Sequence, residues 1–430
     1  MLAERGVAST RAADGAVGQG RRVAIVGSGA AGCYAAEAIL KGDPSARVDV
    51  LERLPTPFGL IRYGVAPDHP GTKAVTRTLE RVLGHERVAF FGGVAVGRDV
   101  SLRALRSAYD AVVLATGVNR DRQLGIPGED LVGVVGSGRF ASWYNDHPLA
   151  DDMRGLLAAA RDVLVVGAGN VALDVARVLV KDRSGFDGSD VSDEVLAALS
   201  AGGGARHIVI AARRGPAHVR FSHAELRELI RTAPGRVFIE PSSRPAFTDA
   251  LSSPVVRELA ALPDRPDTLP DPRAGSTIEF RFDSSPVEFL GRAHEGSHLA
   301  AARLASSRSG QSGAPIVAAD LTITCIGYRY VDALGLPTVS GVLRHDDGRI
   351  GAGLYVVGWA KRGPSGTIGT NRTDSYRVAA RLLDECRPQP RREDGAPGVE
   401  SLLRESSHAW VDFDGWKRID AEETARPGAR

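Results

Sequence analysis

Two short glycine-rich segments carry most of the chemistry legible in this sequence. The first is Gly27-Ser28-Gly29-Ala30-Ala31-Gly32, and an acid, Glu52, lies downstream of it. The second is Gly167-Ala168-Gly169-Asn170-Val171-Ala172, and its downstream counterpart is a pair of arginines, Arg213 and Arg214. The negative charge of a pyrophosphate has to be met without a bulky side chain. Glycines let backbone N–H groups approach it, and a helix N-terminus adds roughly half a positive charge. An acid at the downstream position accepts hydrogen bonds from free ribose hydroxyls, whereas arginines suit a phosphate on that ribose. Gly27, Gly29, Gly32 and Glu52 therefore read as one nucleotide cradle. Gly167, Gly169 and Asn170, with Arg213 and Arg214, read as a second that prefers NADP(H) to NAD(H). Charge-assisted hydrogen bonds contribute about 1.5–3 kcal/mol each, so two arginines predict a preference of roughly two to four orders of magnitude. A chain built for two different dinucleotides is expected to move electrons between them.

The elements around these segments supply the context they need. Arg22–Val26 is a short apolar run that reads as a buried parallel strand. Ala30–Lys41 reads as a helix closed by Gly42, and Arg47–Glu52 as the next strand. This is a βαβ unit, without which a glycine fingerprint is weak. Tyr109–Leu114 reads as another buried strand. The pattern restarts at Arg161–Val166, followed by a helix over Val171–Lys181 and a strand over His207–Ala212. An insertion at 184–206 delays that strand and contains a short helix, Asp193–Ser200, and a glycine run, 202–204. Phe221–Arg231 reads as an amphipathic helix, and 241–275 as loop or loose helix. Ile278–Phe282, Pro286–Gly291 and Leu299–Leu304 read as an antiparallel ribbon. Leu321–Ile326 and Leu354–Trp359 are further strands, Ser375–Cys386 is a helix, and Trp410–Ile419 is an isolated cluster.

At 430 residues, two ordinary domains fit best, and 43% hydrophobic with 25% charged residues is ordinary for a globular protein. A formal net charge of +2 gives no sign of a nucleic-acid or membrane surface. Cys33, Cys325 and Cys386 include no Cys-x-x-Cys, which argues against a dithiol relay, a cysteine-ligated cluster or a disulfide scaffold. No metal centre is expected. There is no apolar run long enough to span a membrane. Residues 1–20 lack the apolar stretch of a secretory signal and read as a disordered extension, so a cytoplasmic protein is expected.

Longer segments carry a resemblance. Leu51–Leu60, Arg62–Pro70, Ala115–Gly117, Gly169–Asp174, Arg213–Pro216 and Gly358–Pro364 are similar to the corresponding motifs of the adrenodoxin reductase-like ferredoxin–NADP reductases. The likeness runs over about residues 21–420. It implies an α/β fold of two Rossmann-like dinucleotide-binding domains, with the NADP domain (119–344) inserted into a discontinuous FAD domain (21–118 and 345–430). It implies FAD against Gly29, Ala30, Glu52, Leu60, Val94, Trp359 and Gly366, Thr367 and Ile368. For NADP it implies Arg122, Asn170, Val171, Ala172, Leu173, Arg213, Arg214, Glu225 and Gly366. A glycine at 366 suits close approach of nicotinamide to flavin, since a Cβ there would hold the rings apart. His69 and Glu228 would lie near that contact and handle protons or position the carboxamide, with Asp174 a second partner for His69.

The resemblance further implies hydride transfer from NADPH to FAD and single-electron transfer to a ferredoxin. The sequence carries no Cys-rich ferredoxin module, so this iron–sulfur partner is expected to be a separate protein, with a cytochrome P450 one candidate final acceptor. A monomer or weak dimer is expected. Three alternatives remain open on the sequence. One is an electron-delivering subunit or diaphorase with a non-ferredoxin acceptor. Another is a thioredoxin reductase-like enzyme, which would need a redox dithiol. The third is a dinucleotide sensor without turnover.

Overall fold

The computed structural model describes residues 20–118, 120–201, 204–247, 253–271, 275–292, 297–306, 314–331, 334–388 and 398–425. Two six-stranded sheets organise it. The first runs, in spatial order, Arg349–Gly351, Leu354–Val356, Ala111–Leu114, Arg22–Val26, Arg47–Glu52 and Val88–Gly92. All its pairings are parallel except that of the edge strand Arg349–Gly351 with Leu354–Val356. The second runs Val134–Gly136, Leu321–Thr324, Asp162–Val166, His207–Ala211, Thr277–Arg281 and Val237–Ile239, and is parallel throughout. Every strand of the second sheet falls between two neighbours of the first, Ala111–Leu114 and Leu354–Val356. One sheet unit is thus inserted into the chain of the other.

Parallel strands are covered on both faces, so they read as unbroken apolar runs rather than alternations. Val23, Ala24 and Ile25 are fully buried, as are Leu164 and Val165. Helix Ala30–Gly42 lies on the first sheet and packs against helix Ile368–Glu385 through alanines and other small residues. Helix Asn170–Val180 takes the equivalent place on the second sheet.

Most expected elements stand where the sequence put them, with ends moved by a few residues. Three differ in kind. Thr277–Arg281 is not part of the antiparallel ribbon: it pairs in parallel with His207–Ala211 and completes the second sheet. The ribbon is instead Ser284–Gly291, Leu299–Ser306 and Ile316–Ala318. The helix expected from Ser375 begins seven residues earlier, at Ile368, because Thr367 and Thr370 form a reciprocal cap. Most of the cluster at Trp410–Ile419 belongs to a helix, Phe413–Thr424, which closes over the first unit, while Val411 just before it bridges to Gly92. Trp416 is 1% exposed and packs edge-on to Phe58, ring centroids 5.3 Å apart. Of the expected N-terminal extension only Gly20 lies inside the described residues, and the glycine run at 202–204 lies mostly outside them. No helix of the described residues is long and apolar enough to cross a membrane.

Candidate active site

The first glycine turn is close-packed where a side chain would be an obstacle and open where a ligand would enter. A Cβ on Gly32 would lie 2.0 Å from the Gly27 carbonyl oxygen, and one on Gly27, at φ +108°, 2.4 Å from that of Ala115. Gly29 has nothing within 4 Å of its Cβ position. It starts helix Ala30–Gly42 without a side-chain cap, so first-turn N–H groups remain for an anion. Glu52 ends its strand buried. Its carboxylate accepts from Ser28 N at 3.0 Å, Ser28 Oγ at 2.8 Å and Leu54 N at 3.2 Å. Val94 donates its backbone N–H to the Glu52 carbonyl, with its own side chain buried.

Phe58 adopts φ +79°, unusual for a residue with a Cβ, and its N–H donates to the Ser28 carbonyl. The contact with Trp416 holds this turn, and it brings Gly59 against Gly29. Leu60 follows and is 46% exposed beside the cradle, an apolar surface suited to a flat ring.

A third stretch reaches the same place from the far end of the chain. Gly358, at φ +71°, packs on Ala31, and its N–H donates to Asp374 at 2.8 Å. Asp374 is also bonded by the buried Lys361, at 2.8 Å. The turn so pinned presents Trp359. Its indole Nε1 is buried without a partner among the described residues, and its ring stacks on Tyr328 of the second unit at 6.0 Å. Arg122 is exposed next to that stack, with its Nε donating to the Tyr328 carbonyl. Gly366 has φ +84° and a Cβ there would lie 2.7 Å from Thr370, so the cap itself demands glycine, independently of any ligand. Thr367 is exposed and Ile368 half-buried at the start of the helix.

The second turn repeats the first with one change. A Cβ on Gly167 would lie 2.3 Å from the Cys325 carbonyl, Gly169 is open, and helix Asn170–Val180 has no side-chain cap. Ala172 replaces the third glycine and is fully buried, as is Leu173. Both also donate their N–H groups to the Gly169 carbonyl, so neither presents a surface to a nucleotide; Asn170 is exposed and Val171 half-buried. Asn170 accepts from Ser222 N through its side-chain oxygen at 2.9 Å. Arg213 and Arg214 are exposed just beyond strand His207–Ala211.

Where the two units meet, His69, Asp174, Glu225 and Glu228 converge. Glu225 joins this group through Arg177, at 3.3 Å, and His69, at 3.9 Å. His69 Nε2 is 3.3 Å from Glu228, and its Nδ1 4.0 Å from Asp174. Sequence reasoning missed the residue at the centre. Arg177 is completely buried and bonds Asp68 through Nε at 2.8 Å and Nη2 at 2.9 Å, and Asp174 at 2.8 Å. Lys181 reaches the same Asp68 at 2.6 Å. The i,i+3 spacing of Asp174 and Arg177 was the available signal. His69, Asp174 and Glu225 offer three ligand atoms within 4.8 Å of one another, but the cation set among these acids is the Arg177 guanidinium.

Burial pushes the Asp68 carboxyl up, but the hydrogen bonds and charge of Arg177 and Lys181 outweigh it and hold the group well below the usual range. Burial raises Asp174, with Arg177 and His69 offsetting only part of the rise. Burial and the neighbouring Asp174 also raise Glu225. Two acids near His69 thus have an enhanced hold on a proton. Burial drives the Cys33 and Cys325 thiols upward, so neither is primed as a nucleophile, and all three cysteines are free.

A family model described as pyridine nucleotide-disulphide oxidoreductase matches residues 21–201. Mycobacterium tuberculosis has an NADPH-ferredoxin reductase, FprA, 38% identical to this chain, the alignment covering 94% of each. The human mitochondrial NADPH:adrenodoxin oxidoreductase is 35% identical, over 94% of this chain and 87% of its own length. The structure of M. tuberculosis FprA in complex with NADPH superposes with a TM-score of 0.83 at 35% identity, covering 94% of both chains.

Proposed function

Because the chain belongs to the NADPH–ferredoxin reductases of the adrenodoxin reductase type, we propose that the turn at 27–32 holds its FAD and the turn at 167–172 its NADPH. The protein is a flavoprotein oxidoreductase that passes electrons from NADPH to a ferredoxin-type partner. One contrast carries the assignment of the turns. The first ends in a buried carboxylate held by Ser28, the second in two exposed arginines. The cradles at Gly29 and Gly169, which a side chain would fill, and the unpartnered Trp359 indole fit bound nucleotides.

When bound, FAD supplies the exchange between a hydride and single electrons. The rest falls to the chain. The first turns of helices Ala30–Gly42 and Asn170–Val180 each meet a pyrophosphate with unpaired N–H groups. Glu52 accepts from the FAD ribose, and Arg213 and Arg214 bind the ribose phosphate of NADPH. Leu60, Trp359 and the segment Gly366–Ile368 bound the flavin ring and exclude water, while the buried Val94 steadies the end of the Glu52 strand through its N–H. Arg122 stands on the NADP side of the Tyr328–Trp359 stack. His69, held between Glu228 and Asp174, handles protons or positions the carboxamide where the two units meet, while Arg177 fixes the acids around it. The FAD unit is taken as 21–118 with 345–430, and the NADP unit as 119–344. The reading extends to a cytoplasmic enzyme, monomeric or weakly dimeric, whose ferredoxin serves a cytochrome P450.

The test is anaerobic mixing of the yellow holoprotein with each coenzyme, followed by cytochrome c reduction with and without an added ferredoxin. NADPH should bleach the flavin band far faster than NADH, and cytochrome c reduction should depend on ferredoxin. Bleaching without ferredoxin dependence would leave a diaphorase with another acceptor.

A further inference from the structure

We propose that Arg220 is a third arginine for the coenzyme phosphates, reaching the turn at 167–172 from the loop side. The inference rests on the assignment of NADPH to that turn. Two backbone-level ties fix the loop there. Arg220 N donates to the Ala168 carbonyl at 2.7 Å, and Ser222 N to the Asn170 side chain at 2.9 Å. The chain enters the first tie in extended conformation, at Val219 with ψ 149°, and reaches Ser222 with ψ 158° after a bend at Phe221. Val219 packs on the core and Phe221 is buried in it, while Arg220 between them is exposed.

Its surroundings give it no other occupation. Among the described residues no acid pairs with the Arg220 side chain and no carbonyl accepts from it. Ala168 is the middle residue of the glycine turn. On the other side of that turn, Gly167 N donates to Ala211 O at 2.9 Å, at the end of the strand that leads to Arg213 and Arg214. Three arginines therefore flank one uncapped helix N-terminus. An anion seated at the positive end of that helix would find a guanidinium on each side of it. A planar guanidinium binds phosphate oxygens in pairs, which suits it to either the diphosphate bridge or the ribose phosphate.

The experiment is calorimetric titration of the FAD-loaded protein with NADP+ and with NAD+, for wild type, Arg220→Ala, Arg220→Lys and an Arg213→Ala/Arg214→Ala double variant. Losing a charged hydrogen bond to phosphate should weaken NADP+ binding by about tenfold in Arg220→Ala, and Arg220→Lys should recover part of the loss. An equal weakening for NAD+ assigns Arg220 to the diphosphate, and a loss confined to NADP+ assigns it to the ribose phosphate. Unchanged affinity for both in Arg220→Ala overturns the inference. If the Arg213/Arg214 variant also binds NADP+ like wild type, the assignment of the turn itself fails. The two failures are thereby told apart.

Discussion

Replacing Asp68 with asparagine removes one of the negative charges at the junction of the two units while preserving the shape of the side chain. Asp68 is 2% exposed and Arg177 fully buried, and they share two hydrogen bonds of 2.8 and 2.9 Å across 109 residues of sequence. Removing one partner of such a pair leaves an uncompensated buried charge, which typically costs about 3–5 kcal/mol. Arg177 keeps Asp174 at 2.8 Å and Glu225 at 3.3 Å, so the lower end, about 3 kcal/mol, is expected. Urea titrations followed by flavin fluorescence and by circular dichroism would measure it. The two probes should separate if the units uncouple before they unfold.

A double-mutant cycle with Arg177→Met isolates the pair from general damage. A loss below about 1 kcal/mol in Asp68→Asn, additive with Arg177→Met, would refute the reasoning. The pH dependence gives a second check. The Asp68 carboxyl is depressed on folding, so its contribution is fully present above its unfolded pKa, about 3.9, and fades as pH falls toward the folded value. The stability gap between wild type and Asp68→Asn should stay level at neutral pH and narrow below about pH 4.

Other outcomes follow from the same geometry. Arg213→Ala with Arg214→Ala should erase the roughly two to four orders of preference for NADPH over NADH in flavin reduction; survival of the preference would show that other groups read the phosphate. Gly32→Ala forces a Cβ to within 2.0 Å of the Gly27 carbonyl. It should yield protein with a lowered ratio of flavin to protein absorbance, and full flavin content would mean the helix shifts freely. Gly366→Ala combines φ +84° with a 2.7 Å approach to Thr370. A loss of roughly 1–3 kcal/mol is expected by thermal denaturation, and Gly366→Ala with Thr370→Ser should recover part of it. Asp374→Asn leaves Lys361 buried with a weakened counter-charge and loosens the Gly358 turn. The flavin absorption band should shift or broaden, and an unchanged spectrum would deny that Asp374 positions Trp359.

The βαβ unit at the start of the chain was legible to the residue at several ends. Glu52 was found as the last residue of its strand because glycine spacing, apolar runs and helix propensity are local properties, written within about thirty residues. The contrast between Glu52 and Arg213–Arg214 was local too, since each sits at the end of its own strand. Thr277–Arg281 shows where local pattern stops. An apolar strand looks the same in a ribbon and in a parallel sheet, and only its pairing with His207–Ala211 decides between them.

The junction lay further out of reach. The resemblance could nominate His69, Asp174 and Glu228. It could not show that Arg177 sits buried among them, because Asp68 and Arg177 meet only once both units have folded and docked. The sequence alone determined where the two glycine turns lie and which charges follow each of them. Tertiary structure decided which charges would face one another across the gap between them, because burial and long-range contact are properties of the assembled chain and of no single segment.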